Sequence, residues 1–172
     1  MTANSNPAPR VKLETTFGDI VLELFEKDTP ETVKNFLEYV ESGHYDGTIF
    51  HRVIGNFMIQ GGGMTADMKE KPTRTPIINE ADKAGTNARG TIAMARTQIV
   101  DSATSQFFIN VVDNPFLDFQ GRNPRTFGYC VFGHVVEGMD VVDKIKGVRT
   151  GSHGYHDDVP LDPVVINKAT RI

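Results

Sequence analysis

The sequence of 172 residues contains one cysteine, Cys130, and no tryptophan. One cysteine excludes a disulfide framework within the chain and any site built from Cys-x-x-Cys pairs. The protein is therefore expected to suit a reducing compartment. Cys130 stands in the apolar run YCVFG, where a thiol is usually an inert packing group.

The sequence also lacks a surplus of basic residues, because 18 Lys and Arg stand against 22 Asp and Glu. A nucleic-acid-binding protein usually carries clustered Lys and Arg on one face, and no such run occurs here. Binding to an anionic membrane surface has no better support. We therefore expect no nucleic acid and no membrane among the partners.

Long apolar runs are absent too, and no stretch approaches the roughly 20 residues of a membrane span. The first residues, MTANSNPAPR, lack the apolar segment of a secretory signal. We expect residues 1–10 to be a flexible lead-in and residues 11–172 to form a single domain. A cytoplasmic monomer is the resulting prediction.

Two segments have the apolar spacing of an amphipathic helix. The first predicts a helix that begins after Thr29 and ends before Gly43, with Val33, Phe36, Leu37 and Val40 on its buried face. The second, GMDVVDKIK, predicts a helix with Met139, Val142 and Ile145 inward.

Most other segments have the character of short strands. Alternating residues predict two strands in 11–25, and a strand–turn–strand unit in 49–61 turns at Gly55-Asn56. Further strands are predicted in GTIAMAR, QFFINVV, YCVFGHVV and VVINKATRI, whereas residues 62–90 form a long polar loop. The chain is thus predicted to be mainly β, with a closed eight-stranded antiparallel barrel capped by two α-helices.

Two segments contain residue types that occur in hydrolytic sites. Ser102 and Ser105 lack the G-x-S-x-G context of a nucleophilic serine. The segment SHGYHDD places His153 and His156 three residues apart beside two carboxylates, a spacing that can ligate a divalent metal. A Gly-rich polar loop is the more common meaning of such a segment, and a metal-dependent hydrolase is kept as an alternative.

The stretch FHRVIGNFMIQGGG, residues 50–63, places Arg52 among apolar neighbours. An arginine side chain keeps its charge in a protein, so it needs a partner or a ligand in such surroundings. If 50–54 is one regular strand, Phe50, Arg52 and Ile54 point to the same side. Met58 and Gln60 likewise share a side of the next strand.

Two later segments extend this apolar cluster. SQFFIN puts Gln106 and Phe108 on one face of a strand, and NPFLDF adds Phe116 and Leu117 from a loop. If these segments converge, they form an apolar pocket that is rimmed by an arginine and two glutamines. Such a pocket contains no nucleophile, acid, base or metal.

Rotation about an X-Pro peptide bond is a reaction that needs none of these groups. Its barrier of about 18–20 kcal/mol reflects the amide resonance that is lost as the bond twists. The twisted prolyl nitrogen becomes pyramidal and can accept a hydrogen bond from a guanidinium. A donor that binds the twisted bond better than the planar one lowers the barrier.

The ordered blocks FHRVIGNFMIQGGG, GTIAMAR, SQFFINV and YCVFG resemble the signature segments of the cyclophilin-type peptidyl-prolyl isomerases, in particular the compact bacterial cytoplasmic members. The resemblance implies that Arg52 is catalytic and that Gln60 and Gln106 contact the substrate and position Arg52, with Gln60 holding its guanidinium. It also implies a peptide-pairing backbone at Ala95 and Arg96. The implied proline pocket is lined by Phe57, Met58, Phe108 and Leu117.

Three positions depart from the best-known eukaryotic pattern. Phe116 stands where many members have a tryptophan whose indole N–H bonds cyclosporin, so the resemblance implies weak cyclosporin binding here. Tyr129 replaces a histidine at the pocket wall, which argues against imidazole proton transfer. Arg96 replaces an asparagine and changes the charge of the rim.

The resulting prediction is an isomerase that acts on exposed X-Pro bonds in peptides and unfolded chains, assists folding, and needs no cofactor or metal. A binding module that holds proline-containing partners in the manner of a chaperone is the main alternative. The metal-dependent hydrolase built on His153 and His156 is the second.

Overall fold

The computed structural model describes residues 7–172. Its strands are β1 (Arg10–Thr15), β2 (Gly18–Leu24), β3 (Thr48–Ile49), β4 (Arg52–Ile54), β5 (Met58–Gly61), β6 (Thr91–Met94), β7 (Phe107–Asn110), β8 (Val131–Glu137), β9 (Thr150–His153), β10 (His156–Pro160) and β11 (Val165–Arg171). The helices are α1 (Pro30–Glu41) and α2 (Met139–Lys146), and a 3-10 turn covers Pro115–Leu117. Of the predicted lead-in, residues 1–6 lie outside the described part, and β1 starts at Arg10.

Nine strands form one antiparallel sheet in the order β3-β11-β1-β2-β8-β6-β7-β5-β4. The edge strand β3 also contacts the segment that follows β5, through a single bridge between Thr48 and Thr65 and a hydrogen bond of 2.9 Å from Ile49 N to Met64 O. The mainly β class with two helices is confirmed, but the closed eight-stranded barrel was wrong in detail. The sheet is strongly curled and has nine strands, because the predicted strand before the Gly55-Asn56 turn is interrupted at residues 50–51 and divides into β3 and β4.

The segment SHGYHDD is not the loop expected from its composition. It forms most of a hairpin in which β9 and β10 pair antiparallel as a separate two-stranded sheet. Gly154 makes the reversal possible, since its φ of +61° lies in the left-handed region that glycine adopts freely.

Helix α1 occupies the predicted residues, with Val33, Phe36, Leu37 and Val40 buried. Thr29 is the N-cap residue but contributes no side-chain cap. The buried carboxylate of Glu80 does so instead, because its Oε1 accepts hydrogen bonds from the backbone N–H (2.7 Å) and hydroxyl (2.6 Å) of Thr32. A negative charge is favourable at a helix N-terminus, so this contact fixes the 62–90 segment to the helix.

The core lies between the curled sheet and the two helices. The ring of Phe36 from α1 packs against those of Tyr45, Phe107 and Phe132 with centroid distances of 5.2, 5.7 and 5.0 Å. Val142 and Ile145 of α2 are fully buried, as predicted. Within residues 7–172, neither helix has the length and apolar character that crossing a bilayer requires.

Candidate active site

A pocket of about 180 Å³ opens on the outer face of the sheet, beside β4 and β5. Nine of the eleven site residues expected from the sequence line it: Arg52, Phe57, Met58, Gln60, Ala95, Arg96, Phe108, Leu117 and Tyr129. The other two, Gln106 and Phe116, lie next to it. The structure therefore brings together segments that are far apart in the chain.

The apolar part of the pocket is formed by Met58, Phe108 and Leu117, which are buried in one cluster with Ala93 and Val131. Met58 and Gln60 lie on the same side of β5, and the antiparallel ladder pairs Gln60 with Phe108 of β7. Side chains two residues apart on a strand share a face, so one face of β5 supplies both apolar and polar groups. The result is an apolar surface with the Gln60 amide at its edge.

Arg52 begins β4 and is the ladder partner of Gln60. Its side chain is exposed, whereas Phe50 is fully buried in the core. The expectation that Phe50 and Arg52 point to the same side was therefore wrong, because the interruption at residues 50–51 breaks the alternation. Among residues 7–172 no side-chain hydrogen bond or ion pair engages the Arg52 guanidinium, so its N–H groups can reach a ligand.

Gln60 does not hold this guanidinium, contrary to the expectation. Its Nε2 donates a hydrogen bond of 2.9 Å to Oε1 of Gln106. The Gln106 side chain lies directly over the backbone of Gly63, where a Cβ atom would be 2.5 Å from its Cγ. The third glycine of the GGG run thus provides space for the Gln60–Gln106 pair.

Arg96 forms the opposite rim. Its Nε donates to Gly128 O at 2.9 Å and its Nη1 to Thr97 O at 2.9 Å, while the guanidinium carbon lies 4.9 Å from the centroid of the Tyr129 ring. These contacts fix a positive charge on the rim. The backbone N–H of Ala95 is occupied by Gln106 O, but that of Arg96 has no acceptor within residues 7–172.

Phe116 lies at the mouth of the pocket, in the 3-10 turn. It is 65% exposed and stacks on the ring of Phe57 at a centroid distance of 5.7 Å and an interplanar angle of 24°. An exposed aromatic ring in this place extends the apolar surface toward a ligand.

A buried amide network that the sequence did not predict lies behind the pocket. Asn110 donates to Oδ1 of Asn87 (3.1 Å) and accepts from Nδ2 of Asn114 (2.8 Å), and Asn114 also donates to Phe57 O (2.9 Å). Asn87 donates a hydrogen bond to Oδ1 of Asp118, the residue that follows the 3-10 turn. The network ties the Phe57 backbone to the turn that carries Phe116 and Leu117. Isolated asparagines in separate segments give no sequence signal for it.

Cys130 and His51, two other reactive side chains, are both uncharged near neutrality. Burial raises the pKa of the Cys130 thiol to about 12, so this sulfur is protonated near neutrality. Burial, with the charges of His156 and Arg52, lowers the pKa of His51 to about 4, and His51 is therefore neutral. Within the described range, no three His, Cys, Asp or Glu side chains are grouped as a metal site requires.

Comparisons with known proteins agree with this geometry. The family model "Cyclophilin type peptidyl-prolyl cis-trans isomerase/CLD" matches residues 10–171. The chain is 59% identical over 160 residues to peptidyl-prolyl cis-trans isomerase B of Escherichia coli, a match that covers 93% of this chain and 98% of that protein. It is 61% identical over 159 residues to the isomerase cyp18 of Streptomyces antibioticus, which covers 92% and 96%.

A solved structure shows the same fold. The crystal structure of a Cryptosporidium parvum cyclophilin type peptidyl-prolyl cis-trans isomerase in the presence of the dipeptide Ala-Pro has a TM-score of 0.74 and 25% identity, and the match covers 94% of this chain and 97% of that one. The family model and both bacterial relatives cover more than nine-tenths of the chain. The chain therefore belongs to the cyclophilin family and is a peptidyl-prolyl cis-trans isomerase.

Proposed function

We propose that this isomerase acts on X-Pro bonds in peptides and unfolded polypeptides, thereby assists folding, and uses Arg52 as its catalytic group. The observation that carries the proposal is the position of an unpaired guanidinium at the wall of an apolar pocket. The Cryptosporidium relative was crystallised in the presence of Ala-Pro, and this pocket has the residue types that suit a pyrrolidine ring.

The role of each pocket residue follows from the chemistry of the twisted amide. Met58, Phe108 and Leu117 hold the proline ring while the preceding carbonyl rotates. The twisted prolyl nitrogen gains a lone pair, and Arg52 donates a hydrogen bond to it. Since the planar amide nitrogen is a poor acceptor, this bond strengthens only toward the transition state, which is the condition for acceleration.

The substrate backbone is held on the opposite rim. Ala95 already donates its N–H to Gln106 O, so the backbone N–H that is free to bind the substrate on this rim is that of Arg96. Tyr129 completes this wall and is stacked under the Arg96 guanidinium. Phe57 and Phe116 cover the ring from the open side.

The test is cis-to-trans relaxation of a short X-Pro peptide with the wild type, Arg52→Ala and the exposed control Arg149→Ala. One transition-state donor contributes about 3 kcal/mol, so kcat/KM is expected to fall by about a hundredfold in Arg52→Ala and to stay unchanged in the control. Peptide affinity should change much less. A variant Arg52→Ala that keeps most of its rate would show that this arginine is not the donor.

We place this activity in the cytoplasm, where an unbridged thiol such as Cys130 is stable. Fractionation of cells with an antibody to the chain tests the location. Recovery in an exported fraction would contradict it.

A further inference from the structure

A second cavity adjoins the proline pocket, and Arg52 and Gln60 line both. Its volume is about 450 Å³, which is within the range of small-ligand sites. An extended peptide advances about 3.5 Å per residue, so a cavity that shares a wall with the pocket is within reach of residues one or two positions from the bound proline.

Three carboxylates line this cavity: Glu70 from the 62–90 segment, and Asp157 and Asp158 from β10. None of them forms an ion pair within residues 7–172. Asp157 accepts a hydrogen bond of 2.8 Å from the Ser152 hydroxyl, which holds its carboxylate in place. Arg52 offsets one of the three charges, so the lining stays negative.

The backbone of β10 is irregular where these carboxylates occur. The β9–β10 register shifts between His156 and Val159, and Asp158 has a φ of +60°. An irregularity of this kind turns a side chain away from the direction that a regular strand would give it.

His51 borders the same cavity and provides an independent sign of a missing partner. It is only 5% exposed, and its Nδ1 has no hydrogen-bond partner among the described residues. Its ring lies 6.2 Å from that of His156, which also lines the cavity. A buried ring nitrogen without a partner is rare in proteins, and a polar group of a ligand would satisfy it.

The chemistry of the lining selects among possible ligands. In the described part of the chain the acidic and imidazole groups are not close enough together to hold a metal ion, so the negative charge is spread over a wide space. A long, flexible cation with several donors fits such a space better than a compact ion. Lysine and arginine side chains have this character.

We propose that this cavity is a specificity subsite that binds a lysine or arginine side chain one or two positions from the substrate proline. The proposal rests on the proposed function, because the subsite is defined by its position beside Arg52. It makes the isomerase prefer X-Pro bonds in basic sequences. Glu70, Asp157 and Asp158 are its specificity-determining residues.

The experiment uses blocked pentapeptides with proline at the central position. In each peptide one of the other four positions carries lysine, glutamine or glutamate. Relaxation rates measured by NMR exchange give kcat/KM for each peptide. At low salt we expect a five- to tenfold preference for lysine over glutamate at one position at least, and a clear loss of that preference in about 0.5 M salt, because exposed charges are screened.

Variants assign the effect to the cavity. The double variant Asp157→Asn/Asp158→Asn keeps the shape of both side chains, and asparagine tolerates the left-handed backbone at position 158. It should lose most of the preference for lysine over glutamate, measured as the ratio of the two kcat/KM values. Glu137→Gln removes one exposed charge that lines neither cavity and is the matched control, which should keep the preference.

Each outcome decides between the two proposals. If all peptides are accelerated equally, or if the double variant keeps the preference, the subsite is wrong and the isomerase assignment stands. If no peptide is accelerated at all, the proposed function fails and the subsite fails with it.

Discussion

Gln60 donates a hydrogen bond of 2.9 Å to Gln106, although the two residues are 46 positions apart in the sequence. Gln60 is also the ladder partner of Arg52. The amide pair therefore forms a fixed wall between the proline pocket and the acidic cavity beside it. Arg52 itself receives no such bond, so its position depends on the strand and on this wall.

Removing the partner of Gln60 should reduce catalysis. In Gln106→Ala the Gln60 amide loses its acceptor and becomes free to rotate into the pocket or toward Arg52. One hydrogen bond contributes about 1 kcal/mol, so we expect kcat/KM to fall about fivefold. Relaxation kinetics on one X-Pro peptide measure this effect.

The matched control is Gln98→Ala, since Gln98 is exposed and lines neither cavity. It should leave the rate unchanged. Equal rates for Gln106→Ala and the wild type would show that the pair does not position the catalytic wall.

The site was predictable from the sequence to the extent that its residues occur in short apolar strands. Strand alternation gave the shared side of Met58 and Gln60, and the resemblance supplied the residues of distant segments. The side to which the Arg52 side chain points was not predictable from strand alternation. The interruption at residues 50–51 breaks that alternation, and it depends on how the chain leaves β3. The hairpin of β9 and β10 was missed because its composition is that of a loop.

The amide network should be essential for stability. Asn110 is fully buried, and Asn110→Ala removes the donor to Oδ1 of Asn87 and one of the two acceptors of the Asn114 amide. Since buried polar groups without hydrogen bonds are costly, we expect the free energy of unfolding to fall by about 2–4 kcal/mol. Urea denaturation measures the change.

The control for this prediction is Asn167→Ala, because Asn167 is an exposed residue of β11. It should change the unfolding free energy by less than about 0.5 kcal/mol. A small effect at Asn110 would mean that water replaces the lost amide.

A tryptophan at position 116 should strengthen cyclosporin binding. Phe116 is 65% exposed at the pocket mouth and has no donor to offer, whereas an indole adds one N–H group. We expect Phe116→Trp to bind cyclosporin about tenfold more tightly, with its isomerase rate within twofold of the wild type. Calorimetric titration measures the affinity.

Phe17→Trp, at another exposed phenylalanine away from the pocket, controls for the added indole. It should not change cyclosporin affinity. Unchanged affinity in Phe116→Trp would show that the ring at this position does not face the ligand.

The rate of isomerisation should be nearly independent of pH between 6 and 8. An arginine donor keeps its charge in this range. His51, the histidine beside Arg52, has a pKa of about 4 and remains neutral throughout. Relaxation of an uncharged X-Pro peptide at several pH values tests this, and a bell-shaped profile would contradict a mechanism without proton transfer.

Stability, by contrast, should depend on pH through His51. Burial lowers its pKa from 6.5 to about 4, so the unfolded chain binds more protons between these values. The stability that the neutral ring confers is complete above pH 6.5 and is lost as the pH falls toward 4. The shift corresponds to a loss of about 3 kcal/mol of unfolding free energy.

Urea denaturation at pH 7, 5.5 and 4 with the wild type and His51→Gln isolates this contribution. His44, whose pKa is also lowered by burial, is present in both proteins and cancels in the difference. The wild type should lose more stability on acidification than His51→Gln, because glutamine has no proton to bind. Parallel losses in the two proteins would mean that water or a rearrangement of the β9–β10 hairpin solvates the protonated ring, and that the buried position of His51 is not maintained at low pH.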